Sequence, residues 1–583
     1  MKLSAGVVFT FLTPLSRIQS ITRDRLVLMP LIRAVVLVAS LGGPAWAQPP
    51  THLWSQRFGD SNSQFIESVA VDPSGNVLVT GWFMGTVDFG GGPLVSAGSE
   101  DVFIAKFTPG GAHLWSKRFG NNSAQRGAQV STDPAGNIIA AGFFDGTVNF
   151  GGSTLTSAGQ YDAFVAEFTP AGAHVWSKRF GDADWQYALT IAADPLGNVV
   201  VGGFFDGVMD LGGGPLTSAG HYDAFAAGFT SGGAHLWSHS FGDTLEQRAD
   251  GVATDASGNV VITGSFQGTV DFGGGPMTSA GAFDVFFDIF VAKFNSSGAH
   301  VWSKRFGDGT ASQVGRTTAV DVSGNVVLAG LLRGSVDFGG GPITSGGADD
   351  IFLAKLNSGG SHVWSKAFGG ANTQNAFSVA VGHSSGYVAL TGYFLETVDF
   401  GGGPLTAPAG MVNAFLSLFK ADGTHVWSKG FGNSGSHYGY GVGMDATENV
   451  IVGVTTTGAL DFGGGILISA GAADCCVAKF AATPTGVVRS PSPALSISAY
   501  PNPFNPEAVI EYTVPARGRV QVAIYDVNGA HVATLVDEDV APGPHATRWD
   551  GKDKKRGIAS SGVYLARIVQ GGSVRTAKIT LLK

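Results

Sequence analysis

Gly172-Ala-His-Val-Trp-Ser-Lys-Arg-Phe-Gly181 decides the fold, because near-copies of it recur seven times along the 583-residue chain. The register is marked by Trp54, Trp115, Trp176, Trp237, Trp302, Trp364 and Trp427, spaced 61, 61, 61, 65, 62 and 63 residues apart. Two companions keep step: an Asp-x-x-Gly-Asn-Val turn (Asp72 to Val77, Asp194 to Val199) and a Phe-x-Ala-Lys-Phe strand (Phe103 to Phe107, Phe290 to Phe294). A fixed period of this length, built of short strands, is the signature of a repeat architecture.

Each period holds four strand candidates. In the first these are Ser68 to Val71, Val77 to Trp82, Asp101 to Phe107 and His113 to Phe119. Val, Ile and Phe between Gly/Pro/Asn/Asp clusters give the strand signal, and Asp-Pro-Ser-Gly-Asn76 suits a tight turn. Four antiparallel strands per period match one blade of a β-propeller. The repeat region opens with a lone fourth strand, His52 to Phe58, and ends on a lone third, Cys476 to Phe480. Pairing first with last closes seven blades without a free edge. The expected fold is therefore all-β: a seven-bladed β-propeller over 48–480, then a small Ig-like β-sandwich.

The block Val69-Ala-Val-Asp-Pro-Ser-Gly-Asn-Val-Leu-Val-Thr-Gly81, preceded by Trp54-Ser-Gln-Arg-Phe-Gly59, resembles the bacterial β-propeller repeats known as SBBP repeats. The likeness runs over roughly 51–480 and departs in the long insert after each Val-x-Gly. It implies an extracytoplasmic propeller and no defined activity.

Charge narrows the partners. Residues 48–495 carry 19 basic and 35 acidic side chains, a net of −16. Such a surface repels phosphate backbones, so nucleic acid is not an expected partner. Gly 88 would suggest low complexity, yet the glycines sit at fixed repeat offsets and read as turn residues. The only cysteines, Cys475 and Cys476, are adjacent in a strand, where neighbours point to opposite faces; they read as small apolar substitutes.

Met29 to Ala47 has a basic start, an apolar run and a small-x-small site at Ala45-Trp46-Ala47, the layout of a secretory signal peptide. The expected segment is 1–47, with Met29 a possible true start. Its apolar run falls short of the ~20 residues of a membrane span, so no transmembrane helix is expected in the mature chain. The protein is expected to be secreted or on the outer cell surface.

Function is sought where the copies differ. With the Ser-Val-Ala-Val strand innermost, the long connections share one face, and sites favour long loops on a rigid scaffold. The ligand-binding candidates are Arg126, Trp185, Tyr187, Arg248, Arg316, Tyr438 and Tyr440, of the types that recognition surfaces favour. The bland alternative is that they fill gaps between unequal blades. The periodic His set (His52 to His425) is expected beside the repeat Trp, not in a metal site. The Gln set (Gln64 to Gln374, with His437) is expected to satisfy backbone at strand entries. The Asp set (Asp88 to Asp461, with Asn149) suits Asx turns better than calcium. Acids occur as repeat copies rather than as a unique close pair, and no catalytic motif is present. No catalytic residue, metal ligand or cofactor is assigned. The expected function is a binding or scaffold protein whose ligand is an extracellular protein or polysaccharide. The rival is a secreted polysaccharide hydrolase or lyase working in the channel, which a unique acidic pair or metal trio at its mouth would favour.

Residues 481–498, rich in Pro, Ser and Thr, read as a linker. Beyond them, six alternating runs between Val509 and Leu581, with a hairpin turn at Asn528-Gly529, predict the sandwich. Tyr500-Pro-Asn-Pro-Phe-Asn-Pro506, Ile524 to Gly529, Trp549-Asp-Gly551, Ser561-Gly-Val-Tyr564 and Lys578 to Lys583 occur in that order. Together they resemble the C-terminal sorting domain of type IX secretion cargo and the related Ig-like domain of flagellar hook-capping proteins, over 499–583. The resemblance implies export with surface attachment or release through a secretion machinery. It marks Pro501, Asn502, Pro503, Phe504, Asn505, Pro506, Gly562, Tyr564 and Lys583 as the sorting signal.

Overall fold

Apolar runs of seven or eight residues, cut by Gly-containing turns, become the strands of repeated sheets. The first sheet takes Gln64–Val71, Val77–Phe83, Asp101–Phe107 and His113–Phe119, antiparallel and in chain order. The second and third strands are buried on both faces, which is why they lack polar alternation. The structure is a computed structural model that describes residues 50–280, 286–432, 434–482, 495–500, 502–505, 507–514, 518–540, 543–555, 557–571 and 573–582. The expected signal peptide, residues 483–494 of the expected linker, and Pro501, Pro506 and Lys583 lie outside the described residues.

Seven such four-stranded sheets occupy 52–480. The seventh joins the two ends of the region: His52–Phe58 pairs antiparallel with Asp474–Phe480. Each inner strand packs against the inner strand of the next sheet, and Gln64–Val71 packs against His437–Met444, so the row closes on itself. This is a β-propeller arrangement, and the described residues contain no helix.

The repeated residues act as fasteners between sheets. Trp54 Nε1 donates to the Pro109 carbonyl at 3.0 Å, in the turn of the next sheet, and Trp115, Trp176, Trp302, Trp364 and Trp427 make the equivalent bond. The repeat lysine works beside it. Lys106 Nζ meets the Asp72 carboxylate at 2.8 Å and the Pro170 carbonyl of the next sheet at 3.0 Å. Lys293–Asp255, Lys355–Asp321 and Lys479–Asp445 repeat that buried ion pair. Of the seven repeat tryptophans, Trp427 is 1% exposed, Trp237 is 7% exposed, and the other five are only partly buried. A cost of ~3–5 kcal/mol, which belongs to fully buried aromatics, is therefore expected at Trp427 and a smaller one at the partly buried copies.

The other periodic sets have local roles. His52 Nε2 bonds Ser55 Oγ at 3.0 Å, and His113, His174, His235, His300 and His362 bond the Ser three residues on. Gln64 is fully buried, its Nε2 donating to the Met84 carbonyl. Asp88 Oδ1 accepts from the amides of Gly90 and Gly92, an Asx turn.

The C-terminal region forms two sheets. One joins Ser496–Tyr500, Ala508–Val514 and Gly543–Trp549; the other joins His531–Val540, Gly518–Asp526, Gly562–Gln570 and Ser573–Leu581. Ile510 and Trp549 from the first share a core with Val522, Ile568 and Ile579 from the second. The first strand starts at Ser496, inside the span expected as linker. The described motif residues hold this core together. Asn502 bonds the Lys578 carbonyl and the Thr580 amide, tying its loop to the last strand. Phe504 packs on Trp549 at 5.3 Å, Trp549 on Tyr564 at 5.0 Å, and the Tyr564 hydroxyl donates to the Ser560 carbonyl.

Candidate functional site

The inner strands line the channel, and each carries a bulge at the same place. The pairing of Gln64–Val71 with Val77–Phe83 skips one residue between Ile66 and Ser68, and the other six sheets repeat the skip. The skipped residues are Glu67, Ala128, Leu189, Asp250, Arg316, Phe377 and Tyr440. A bulge inserts an unpaired residue and re-aims its side chain. In six sheets the glycine of the Val-x-Gly motif makes room for it, since a Cβ on Gly81 would collide with the Phe65 carbonyl oxygen; the seventh sheet carries the bulge with Val454 at that place.

The seven skipped residues form a ring that lines the middle of the channel. On its long-connection side, a cavity of about 270 Å³ is walled by Glu67, Arg126, Phe143, Leu189, Asp250, Arg316 and Phe377. A separate recess of about 770 Å³ opens at the other end, among the tight turns.

Three of the seven candidates, Arg126, Arg316 and Tyr440, line this part of the channel. Arg126 lies over the Trp82 ring at 4.8 Å and grips Glu100 through two bonds of 2.6 and 2.7 Å. Tyr440 stacks on Phe377 at 5.0 Å with ring planes 9° apart. Tyr187, Arg248 and Tyr438 hold the second position of their inner strands, and Trp185 directly precedes one. These four pack among other rings: Tyr187 between Phe143 and Phe204, each at 4.7 Å, Trp185 near-parallel to Tyr187, Arg248 over Phe204 at 4.3 Å, and Tyr438 on Tyr393.

Glu67 and Asp250 correct the expectation that acids occur only as repeat copies. Each is the single carboxylate of its kind in the ring. Burial lifts the Glu67 carboxyl to about 7, against the hydrogen bond from Trp82 Nε1 (3.1 Å) and the charge of Arg126. Burial also raises Asp250, against Arg248 and Arg316. Lining up the seven copies at the third residue after the Gln/His set, where no two agree, is the signal that would have found both. Among the described residues, no group of three or more His, Cys, Asp or Glu could hold a metal ion.

The SBBP family, a beta-propeller repeat, matches residues 53–82. That stretch runs from the closing outer strand through the bulged inner strand to Trp82, so the match spans one complete passage from rim to channel. An uncharacterized WD repeat-containing protein of Acanthamoeba polyphaga mimivirus is 20% identical, the match covering 69% of this chain and 36% of the relative. The chain thus spans about a third of the curated relative's length. Among solved structures, PorZ, a surface component of the type-IX secretion system of Porphyromonas gingivalis, aligns at 11% identity and TM-score 0.27, over 89% of this chain and 71% of PorZ. YCF48 bound to D1 peptide aligns at 10% and 0.35, over 76% and 99%. A puromycin hydrolase mutant complexed with PGG aligns at 10% and 0.37, over 77% and 59%. No helix of the described residues is long and apolar enough to cross a membrane.

Proposed function

We propose that this chain is a secreted or surface-displayed binding protein whose seven-bladed SBBP-type propeller takes an extracellular ligand at the long-connection mouth of its channel. The observation that carries this reading is the ring of seven unlike residues on a sevenfold scaffold. Repetition fixes the fasteners between sheets, while the cavity wall gathers one-off Arg, acidic and aromatic side chains. The C-terminal Ig-like sandwich is the module for export or surface attachment, as its likeness to type IX sorting domains implies. Its partner is then a secretion machinery.

The test is a glycan array and an extracellular-protein pulldown with the full chain beside Trp185→Ala and Arg248→Ala variants. Binding that these variants lose places the ligand at the mouth. Binding that both retain in full moves it elsewhere and overturns the reading.

Glu67 favours a second reading, a polysaccharide-acting hydrolase or lyase. A carboxyl near 7 beside a cavity has the poise of a general acid. Glycan cleavage abolished in Glu67→Gln, with binding intact, would establish it.

A further inference from the structure

The cavity wall holds one cationic group that the protein leaves unused, and a second lies beside the wall residue Asp250. Arg126 is engaged by Glu100 through both bonds of its fork. Arg316, in the wall facing the cavity, has its Nε buried with no hydrogen-bond partner among the described residues. The Arg248 Nε is likewise buried without one, 3.9 Å from Asp250 Oδ1, beyond hydrogen-bond reach. A guanidinium presents a planar fork that matches a carboxylate, and buried donors without acceptors are costly unless something answers them. Two such donors on neighbouring inner strands flank Asp250, and with Glu67 neutral they leave one positive charge unanswered. The propeller around it is strongly acidic, so a polyanion is repelled while a single carboxylate is drawn in.

The shape adds the second half. Phe377 and Tyr440 lie face to face beside Arg316 in the same channel lining, and Tyr393 and Tyr438 pack against them. Flat rings with a polar rim accept the C–H face of a pyranose while its hydroxyls stay wet. At about 270 Å³ the cavity falls just below the ~300–1,000 Å³ of drug-sized pockets, which suits one terminal sugar and not a threaded polymer.

We propose that the cavity binds the terminal acidic sugar of a glycan, with Arg316 receiving its carboxylate and Phe377, backed by Tyr440, receiving its ring. This rests on the binding reading above and names the ligand class for it. Glu67 tunes the affinity: as the neutral acid it donates to the ligand, and as a carboxylate it repels it. The groups facing Glu67 are Trp82, Arg126 and Glu100 around the entrance, with Tyr440 and Cys475 behind.

The test is calorimetric titration of the full chain with oligosaccharides ending in a uronic acid, their methyl esters, neutral counterparts, and short peptides with free or amidated C-termini. The acid-ended sugars should bind, the esters and neutral sugars far more weakly. Arg316→Gln should weaken acid binding roughly 10- to 100-fold, and Arg316→Lys should restore part of it. Thermal melting of both variants checks that they fold. Affinity should rise as pH falls from 8 to 6, and Glu67→Gln should flatten that rise. Esters binding as well as acids, undiminished binding in folded Arg316→Gln, preference for free peptide C-termini, or no acidic sugar binding at all would each overturn the proposal. A neutral glycan whose binding is lost in Tyr440→Ala would overturn it while leaving the binding reading in place.

Discussion

The outer strands and the bulge of the inner strands follow opposite rules. Along the outer strands the same Trp recurs in all seven sheets, and beside it the third strand of four sheets repeats a Lys buried against the Asp of a tight turn. At the bulge the seven residues are Glu67, Ala128, Leu189, Asp250, Arg316, Phe377 and Tyr440, with no type used twice. The outer residues each reach into the next sheet, so a change in one copy breaks a joint of the ring. The bulge residues sit outside the strand ladder and face a cavity, so they vary at small cost to the scaffold. The difference separates what closes the ring from what the ring presents.

The largest expected effect comes from cutting one fastener on one side only. Lys479→Ala leaves Asp445 buried without its cation, a change of the kind that costs ~3–5 kcal/mol. Lys479→Met with Asp445→Asn should cost less, since no charge is stranded. Burial alone would raise Asp445, but hydrogen bonds from Lys479, Thr447 and Asn449 hold its carboxyl at about 2. A depressed carboxyl stabilises the fold above the ordinary aspartate range, and that stability is lost as pH falls through about 2. Urea denaturation between pH 2 and pH 6 should show a slope that Lys479→Ala lacks. Equal stability of the two variants would sink this account of the pair.

Next come the tryptophans, whose exposure ranks them. Trp427 is 1% exposed and Trp54 is only partly buried. Trp427→Ala should cost ~3–5 kcal/mol, and Trp54→Ala about half as much for its smaller buried area. Denaturation midpoints of the two variants give the ranking, and a larger loss at Trp54 would mean that the seam at His52–Phe58 is the weak joint of the ring.

The fasteners were legible in the sequence because repetition exposes them: Trp, the Asp-x-x-Gly-Asn turn and Phe-x-Ala-Lys-Phe align at one period. Their partners were not, since Trp54 bonds Pro109, 55 positions on, and only stacking of the sheets brings the two together. The mouth was half legible. Arg316 and Tyr440 stood out as exceptions among chemically bland copies, yet Glu67 and Asp250 did not, because acids abound in the turns and hid the two that face the channel. The bulge itself has no local signature beyond an opposing glycine, and in the seventh sheet Val454 takes even that place. At the C-terminus, Asn502, Phe504 and Tyr564 were marked as a signal by resemblance; in the structure Phe504 and Tyr564 sit in the core and Asn502 ties its loop to the last strand.

Where a copy breaks the third-strand lysine pattern, restoring it should stabilise. Glu167 stands where four of the other six copies have a lysine (Lys106, Lys293, Lys355 and Lys479), next to Asp133, and burial followed by that second acid raises its carboxyl to about 7. An acid with a raised pKa destabilises the fold once ionised, so this sheet loses stability as pH rises through about 7. Glu167→Lys rebuilds the pair with Asp133 and should add ~1–2 kcal/mol at pH 8. The gain should shrink towards pH 5, where wild-type Glu167 is neutral. A gain that is constant with pH would show that the like-charge contact is not its source.

The smallest effect is expected at the bulge, and it is the sharpest test of the contrast. Leu189 fills one place of the ring, next to Ala128 on one side and Asp250 on the other, and it is only partly buried. Ala128 shows that the scaffold closes around a methyl group at this position. Leu189→Ala should therefore cost no more than about 1 kcal/mol, well below the ~2–5 kcal/mol of a Leu→Ala change in a packed core. It enlarges the cavity beside Arg316 at the same time, so ligand affinity should change more than stability does. A loss of ~3 kcal/mol in denaturation would make the ring part of the packed core. The variety of its residues would then reflect unequal spaces between sheets, and the ligand would have to be sought at another surface.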